Sequence, residues 1–418
     1  MWKTSRPLLE ARCWLTTECS ELEPGCLDRR PPFVDDGDAL LLQIFPSLAV
    51  LLVDHTQKMD DESARALILL SDDDTTVEIA DSWEECPVVI SLKTSGSTKA
   101  SYTLRFESNS VLLKCYGLLI ASMSKIKLEE FEPRHTLGKG RFGKVVSAQR
   151  QRSSGKSEWL AVKEIVCAEP GDVKLVIRER LIMERIALAP SHFATQLRYA
   201  TVVGSKVYLA MELMRGGDLF TLLQNHAITF NGARFYAAEV LEALKYLHSL
   251  NILYRDLKPE NILVTHDGHV RIADFGLSRF VDGKDTATTL CGTAAYFAPE
   301  MLCQNKGGYS LSVDYWQFGC FVFELFVGSS PFYDPDDPSE ENMKANISRG
   351  EFEFPQERCS QRWKKIVCDL LVPEVTNRCG FRPGDEGWSA VAEQPFFHNV
   401  DWSCVRDLSY SPPTRPLA

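Results

Sequence analysis

The chain has 418 residues, 44% of them hydrophobic and 25% charged, with a formal net charge of -11. That length exceeds one ordinary core and implies at least two domains, and the composition is globular rather than disordered or fibrous. The charge is uneven, with 11 basic and 20 acidic residues up to position 124 against 35 and 37 after it, and an acidic excess of this kind argues against nucleic acid or an anionic membrane as a partner.

The 13 cysteines are scattered, odd in number and free of any C-x-x-C pair. A disulfide framework or zinc site is therefore not expected, and a reducing setting, cytoplasmic or nuclear, fits better. The opening MWKTSRPLLEARCWL is basic at its start but has no apolar core, so it is not read as a secretory signal. The longest apolar run, 39–53, is broken by Gln43, Pro46 and Ser47. It is too short to span a bilayer, and no transmembrane segment is expected.

Residues 1–38, rich in Cys, Pro, Glu and Asp, read as an irregular segment. From 39 to 123 a small β-rich domain is expected. Its strands are ALLLQIF, LAVLLVD, ALILLS, TTVEIA, CPVVISL and SYTLRFES, separated by acidic or Ser/Gly turns. The stretch NSVLLKCYGLLIASM then places Val111, Leu112, Cys115, Leu118 and Leu119 at helical spacing. Short strands closed by one amphipathic helix resemble a pleckstrin-homology domain. Such folds hold phosphoinositides through clustered cations, and here only Lys93, Lys99 and Arg105 lie in the relevant region. The expectation is a protein contact or an autoinhibitory role, with no strong phosphoinositide binding and a partner the residues do not identify. Residues 124–130 read as a charged linker.

A different pattern begins at Phe131: strands to about 211, then mostly helices to about 397. LGKGRFGKVV contains G-x-G-x-x-G-x-V in Gly138, Gly140, Gly143 and Val145. Glycines let backbone amides approach phosphates without side-chain obstruction. A dinucleotide fingerprint needs a helix directly after the glycines. Here KVVSAQRQ reads as a strand instead, so the loop joins two strands as a flap. In AVKEI, Lys163 sits among apolar strand residues, where a surface lysine on an edge strand is the plain alternative. Glu179, on the helical stretch VIRERLIMERIALA, offers it a carboxylate. RIADFGLS places Asp274 at a strand end beside Gly276, where a carboxylate can hold Mg²⁺.

ILYRDLKPENILV then sets Arg255, Asp256, Lys258 and Asn261 in one short turn between apolar runs. A helix N-cap would need only one such residue. With the glycine flap, Lys163, Glu179, DFG and APE (Ala298 to Glu300), these motifs stand in the order of the protein-kinase signature set. Over 131–398 the chain resembles the eukaryotic protein kinases, followed by a short tail at 399–418. The resemblance implies an α+β fold, a bilobal kinase with a β-rich small lobe and a helical large lobe. It implies ATP and Mg²⁺ as cofactors and phosphoryl transfer to Ser or Thr hydroxyls of protein substrates. Asp256 would accept the hydroxyl proton, Lys258 would stabilise the moving phosphoryl group, and Asn261 and Asp274 would hold Mg²⁺. Lys163 with Glu179 would hold the α- and β-phosphates. Lys258 two residues after the aspartate, followed by Pro259, matches the serine/threonine branch.

YRDLKPEN, DFGLS and TTLCGTAAYFAPEM further resemble the AGC group, kinases akin to the cyclic-AMP-dependent enzyme and the S6 kinases. This implies Met211 as gatekeeper, Glu212 and Met214 as adenine-binding backbone and Asp218 as ribose contact. Leu137, Ala161 and Leu263 would complete the nucleotide site. Asp314 would brace the catalytic loop, Arg378 would pair with Glu300, and Thr293 would serve Asp256 and Lys258. Thr289 would be phosphorylated by an upstream activating kinase, with Arg255 as the phosphate's partner. Asp218, Glu260 and Glu324 would favour arginine two or three residues before the phosphoacceptor. Two departures stand out. Ala294-Ala295 replaces the group's Pro-Glu, and a long tail with a hydrophobic motif is not recognisable after 398, so its activating contact is expected to be missing or to come from elsewhere. A pseudokinase scaffold acting through its N-terminal domain is the rival reading, but it calls for loss of Lys163, Asp256, Asn261 or Asp274, and all four are present.

Overall fold

A computed structural model describes residues 128–414, apart from 141–142, 152–156, 168–169, 204–205, 226–227, 282–286, 304–306, 356–359 and 382–384, and the backbone of seven strands between residues 9 and 106. The chain divides into two compact units, Met1–Lys174 with Tyr199–Ala210, and Leu175–Arg198 with Met211–Ala418.

In the first unit, β1 (Leu9–Glu18), β2 (Ala39–Ile44), β3 (Ala49–Asp54), β4 (Ala64–Leu69), β5 (Thr75–Ile79), β6 (Val89–Thr94) and β7 (Ala100–Phe106) form one antiparallel sheet in the order β4-β3-β2-β1-β7-β6-β5. Six of these strands fall on the runs expected from alternation and β-propensity. β1 corrects the expectation of an irregular segment at 1–38. It pairs with β2 from Leu9 to Trp14 and with β7 from Cys13 to Glu18, so only Cys13 and Trp14 have both neighbours. β1 thus links the β4-β3-β2 strands to the β7-β6-β5 strands of the one sheet. Local composition hid it, because Pro and acidic residues around it outweigh the β-favouring CWLTT within it. The helix expected after β7 lies outside the described residues.

The linker ends in a 3-10 turn, Leu128–Glu130. A second antiparallel sheet follows, made of β8 (Phe131–Gly140), β9 (Gly143–Gln151), β10 (Ser157–Val166), β11 (Leu197–Val203) and β12 (Lys206–Glu212), in the order β11-β12-β10-β9-β8. One face carries a small core of Ala148, Leu160, Val162 and Ala210, with Phe131, Val146, Tyr199 and Tyr208 packed on it. Arg150 lies 4.5 Å from the Tyr199 ring and 2.8 Å from Glu130, which ties the entry turn to the sheet.

The second unit is mostly helical. Helix α1 (Pro170–Leu188) leads into it, burying Val176, Ile177, Ile182, Met183 and Ile186 as a stripe of helical period. α2 (Leu219–Asn225) precedes α3 (Phe230–Ser249), which starts at Thr229, whose hydroxyl accepts from Gly232 N at 3.1 Å. α4 (Pro299–Leu302) is one turn. α5 (Ser312–Val327) is buried on all sides, as its mainly apolar sequence requires. α6 (Glu340–Arg349), α7 (Gln361–Leu370), α8 (Asp385–Ala392) and α9 (Trp402–Arg406) complete the unit. α7 turns Trp363, Ile366, Val367 and Leu370 inward, and Trp363 Nε1 donates to Val322 O of α5 at 3.1 Å. Between α3 and α4 run four short strands in two hairpin-like pairs: β13 (Ile252–Leu253) with β16 (Arg279–Phe280), and β14 (Ile262–Val264) with β15 (Val270–Ile272). Among the described residues no helix is long and apolar enough to cross a membrane.

Candidate active site

The polar turn after β13 is held from both sides by apolar chain. Ile252, Leu253, Tyr254, Leu257, Ile262 and Val264 are all fully buried. Its backbone is braced by α5. Asp314, itself fully buried, accepts from Arg255 N through Oδ1 and from Tyr254 N through Oδ2, each at 2.9 Å. His248 Nε2 lies 2.8 Å from the same Oδ2. Gln317 accepts from Leu257 N at 3.1 Å and donates to Arg255 O at 2.9 Å. These four bonds fix Arg255 at φ 72, a left-handed conformation unusual for a residue with a side chain. The expected brace, Asp314, is in place. Gln317 and His248 were not foreseen, because nothing local in α5 or α3 marks them.

Asp256, 7% exposed, is the centre of the turn. Lys258 Nζ is 3.0 Å from its Oδ2. Asn261 Nδ2 donates to that Oδ2 at 2.7 Å and to the Asp256 carbonyl at 2.8 Å. The Thr293 hydroxyl accepts from Lys258 Nζ at 2.7 Å and donates to Asp256 Oδ1 at 3.2 Å. One carboxylate, one ammonium, one amide and one hydroxyl therefore form a closed set of charge-assisted hydrogen bonds. Gly292, at φ 111, lets the segment carrying Thr293 approach, since a Cβ there would lie 2.9 Å from Arg255 O.

β14 and β15 set the next group. Ile262 pairs with Ile272, and Ala273 N donates to Asn261 O at 2.9 Å, so Asp274 emerges beside Asn261. Asp274 is exposed, at φ 53, and Gly276 N lies 3.4 Å from its Oδ1. Phe275 turns the other way, buried with its edge against Tyr254 at 5.9 Å. Burial, then the charges of Asp256, Asp274 and Asp314, push the Tyr254 phenol well above its ordinary pKa. It stays neutral and donates to Ala273 O. The donor set fits Mg²⁺: Asn261 has its amide N–H groups on Asp256, which leaves the amide oxygen as its ligating atom, and Asp274 adds an exposed carboxylate, both hard oxygen donors.

On the second unit, Leu263 bridges to Asp218, and Val264 N donates to Gly217 O at 2.8 Å, so the 214–218 segment lies along β14. Asp218 also caps α2, accepting from Thr221 N at 2.7 Å and Thr221 Oγ1 at 2.9 Å. A ribose contact or a substrate arginine would have to share that carboxylate. Met211 and Glu212 end β12. The Glu212 carboxylate accepts from Gln196 N at 3.0 Å and from Arg271. In the first unit, Leu137, Gly138 and Gly140 lie on β8, Gly143 and Val145 on β9, and Ala161 and Lys163 on β10, with Val145 opposite Lys163. Leu137 is 52% exposed. A Cβ on Gly143 would lie 1.7 Å from Glu164 O, so strand contact requires that glycine, whereas a Cβ on Gly138 would meet nothing within 4 Å. Glu179 is buried on α1.

The segment from 287 to 296 carries a second charged centre. Arg255 donates through Nε to Leu277 O at 2.6 Å and through Nη1 to the Tyr309 hydroxyl at 3.1 Å. That hydroxyl donates to Thr289 O at 2.6 Å, which presents the exposed Thr289 beside the guanidinium. Burial, then the charges of Arg255 and Arg279, hold Arg178 below the ordinary arginine pKa. The charges of Arg255 and Arg279 thus bear on Arg178, and of these three arginines only Arg255 was expected. Arg178 and Arg279 come from distant elements that spacing could not join. Arg378 meets Glu300 at 2.6 and 2.9 Å, as expected. Glu324 accepts from the Tyr296 hydroxyl, and burial, with the charge of Glu260, raises its pKa.

A carboxylate, a lysine and an asparagine are thus locked in one turn, with an exposed aspartate a strand away. The protein kinase domain, as a family description, matches residues 131–397, and the chain belongs to that family. It is 37% identical over 296 residues to Ribosomal protein S6 kinase 2 alpha of Xenopus laevis, covering 70% of this chain and 39% of that protein. It is 35% identical over 331 residues to Ribosomal protein S6 kinase alpha-2 of Homo sapiens, covering 78% and 44%. To Serine/threonine-protein kinase sck1 of Schizosaccharomyces pombe it is 35% identical over 290 residues, covering 69% and 41%. The chain thus spans less than half the length of these curated relatives.

Proposed function

We propose that the chain is a serine/threonine protein kinase of the AGC type, transferring the γ-phosphate of Mg-ATP to Ser or Thr hydroxyls of proteins. The observation that carries this is the Asp256–Lys258–Thr293–Asn261 set, closed at 2.7 to 3.2 Å. Asp256 Oδ1 takes the proton of the incoming hydroxyl. Lys258, held against it by Thr293, meets the negative charge of the phosphoryl group. Asn261 and Asp274 hold Mg²⁺, which when bound neutralises phosphate charge. Lys163 orients the phosphates, and the segment from Met211 to Met214 receives the adenine. Such a site works by positioning and charge, not by covalent chemistry. The retention of all these residues, and relatives named as serine/threonine or S6 kinases, favour catalysis over the scaffold reading.

The same reading extends to regulation and substrate. Phosphate on Thr289 joins Arg255, Arg178 and Arg279 and orders the segment that carries Thr293. Glu260 and Glu324 favour a basic residue upstream of the phosphoacceptor. The N-terminal sheet acts as a protein-contact module. The deciding experiment is transfer of labelled phosphate from Mg-ATP to a basic Ser peptide, wild type against Asp256→Asn. Turnover by the wild type that Asp256→Asn loses is expected. Equal turnover by both would overturn the assignment.

A further inference from the structure

Tyr309 takes no part in the proposed chemistry, yet it ties the catalytic turn to the segment that carries Thr289. It follows Gly307 and Gly308, at φ 68 and 79, two left-handed residues that turn the chain sharply ahead of α5. Its backbone pairs with Ala287 in both directions, each bond at 2.8 Å. Its side chain is buried. The hydroxyl accepts from Arg255 Nη1 at 3.1 Å and donates to Thr289 O at 2.6 Å. Burial pushes the phenol pKa up to about 12, so the group keeps its proton and remains a donor at neutral pH.

Further along, in α5, Asp314 accepts from Arg255 N and Gln317 donates to Arg255 O. One stretch, from 309 to 317, therefore fixes Arg255 both by its backbone and by its guanidinium. The Tyr309 hydroxyl extends that fixed point to Thr289. A short run of chain then leads to Thr293, whose hydroxyl bonds Lys258 and Asp256. Ordering a loose segment costs conformational entropy, and an anchor this near limits how far Thr293 can stray.

We propose that Tyr309 is a positioning residue, holding the segment from 287 to 296 through the Thr289 carbonyl before any phosphate is present, and that phosphate on Thr289 then takes over this task. Its effect on rate rests on the phosphoryl-transfer reading above, whereas the anchoring itself does not. Thr289 is held by two routes in turn. Unmodified, it is held by its carbonyl. Modified, its phosphate meets the Arg255 guanidinium directly, in a charged fork stronger than one neutral hydrogen bond. The hydroxyl therefore matters most in the unmodified chain.

The test compares wild type with Tyr309→Phe, each unmodified and with Thr289 fully phosphorylated, as judged by intact mass. Tyr309→Phe keeps the ring and removes only the hydroxyl. Transfer from Mg-ATP to a basic Ser peptide gives kcat and KM. In the unmodified form kcat/KM should fall about tenfold, the effect of losing one hydrogen bond to a charged group, and in the phosphorylated form it should stay within about twofold of wild type. A merely structural tyrosine would lower both forms alike. Amide hydrogen exchange at Ala287 and Tyr309 gives a readout that needs no turnover. Both amides should be protected in unmodified wild type, exchange faster in unmodified Tyr309→Phe, and regain protection on phosphorylation. Equal loss of kcat/KM in both forms, or no loss in either, would overturn the proposal. So would unprotected amides in unmodified wild type, protection unchanged in Tyr309→Phe, or failure of that variant to fold. Wild type that transfers no phosphate while its amides follow the expected pattern would refute the kinase reading and leave the anchor standing.

Discussion

At the catalytic turn, Asp256 has a lysine, an amide and a hydroxyl on its carboxylate, and its loop hangs from Asp314 and Gln317. At the segment around Thr289, Arg255 donates to the Leu277 carbonyl and the Tyr309 phenol, and the charges of Arg255 and Arg279 bear on Arg178. The first region is electrostatically complete as it stands. The second brings arginine charges within reach of one another, where an added anion would be favoured. On the proposed reading, the first loop is constant and the second responds to phosphorylation.

The largest effect that could break this comparison is at Asp256. Asp256→Asn should lower kcat by about 10³-fold, within the range for a lost general base. Its melting temperature should stay close to wild type, because the amide keeps the shape and most of the bonds. Loss of the fold alongside activity would mean that the cluster is structural. Next comes the brace. Asp314→Asn replaces a buried acceptor of two backbone N–H groups with a group that has only one accepting oxygen. Urea unfolding should register a loss of about 1–3 kcal/mol, with activity falling as Arg255 relaxes from its left-handed conformation.

The responsive region is sharpened by a pair of variants. Thr289→Ala should forfeit the gain in activity that an upstream activating kinase produces, by about tenfold or more if two charged hydrogen bonds form. Arg178→Ala should blunt the same gain, yet raise the melting temperature of the unphosphorylated chain by removing a buried like charge. If Arg178→Ala destabilises that form, the three cations are already compensated and the contrast fails.

The smallest effect is on pH dependence, away from both regions. His269 Nδ1 lies 2.6 Å from buried Glu239, whose other oxygen accepts from Val270 N at 2.9 Å. The hydrogen bond to Glu239 raises the His269 pKa, and burial raises that of Glu239. Both shifts mean that the folded chain holds protons more tightly than the unfolded one. The stabilisation is present in full below the unfolded histidine value, about 6.5, and is lost as pH rises through the raised folded value. Unfolding midpoints measured between pH 6 and 8 should fall with this slope in wild type and flatten in His269→Gln.

Much of the catalytic centre was readable because its chemistry is local. Arg255, Asp256, Lys258 and Asn261 share one turn, and Asp274 sits one hairpin later, so their spacing in the chain is nearly their spacing in space. The strands of the small sheet and most of the N-terminal ones were equally plain, since alternation repeats every two residues regardless of context. What stayed hidden was non-local. β1 is a strand because β2 and β7 pair with it, not because its own residues alternate clearly. Gln317, His248, Arg178 and Arg279 reach their partners from elements far away in sequence. The residue types and their order determined the family and pointed to the candidate reacting groups. Tertiary packing alone decided which charges are matched and by what, because that depends on side chains that meet only when the chain is folded.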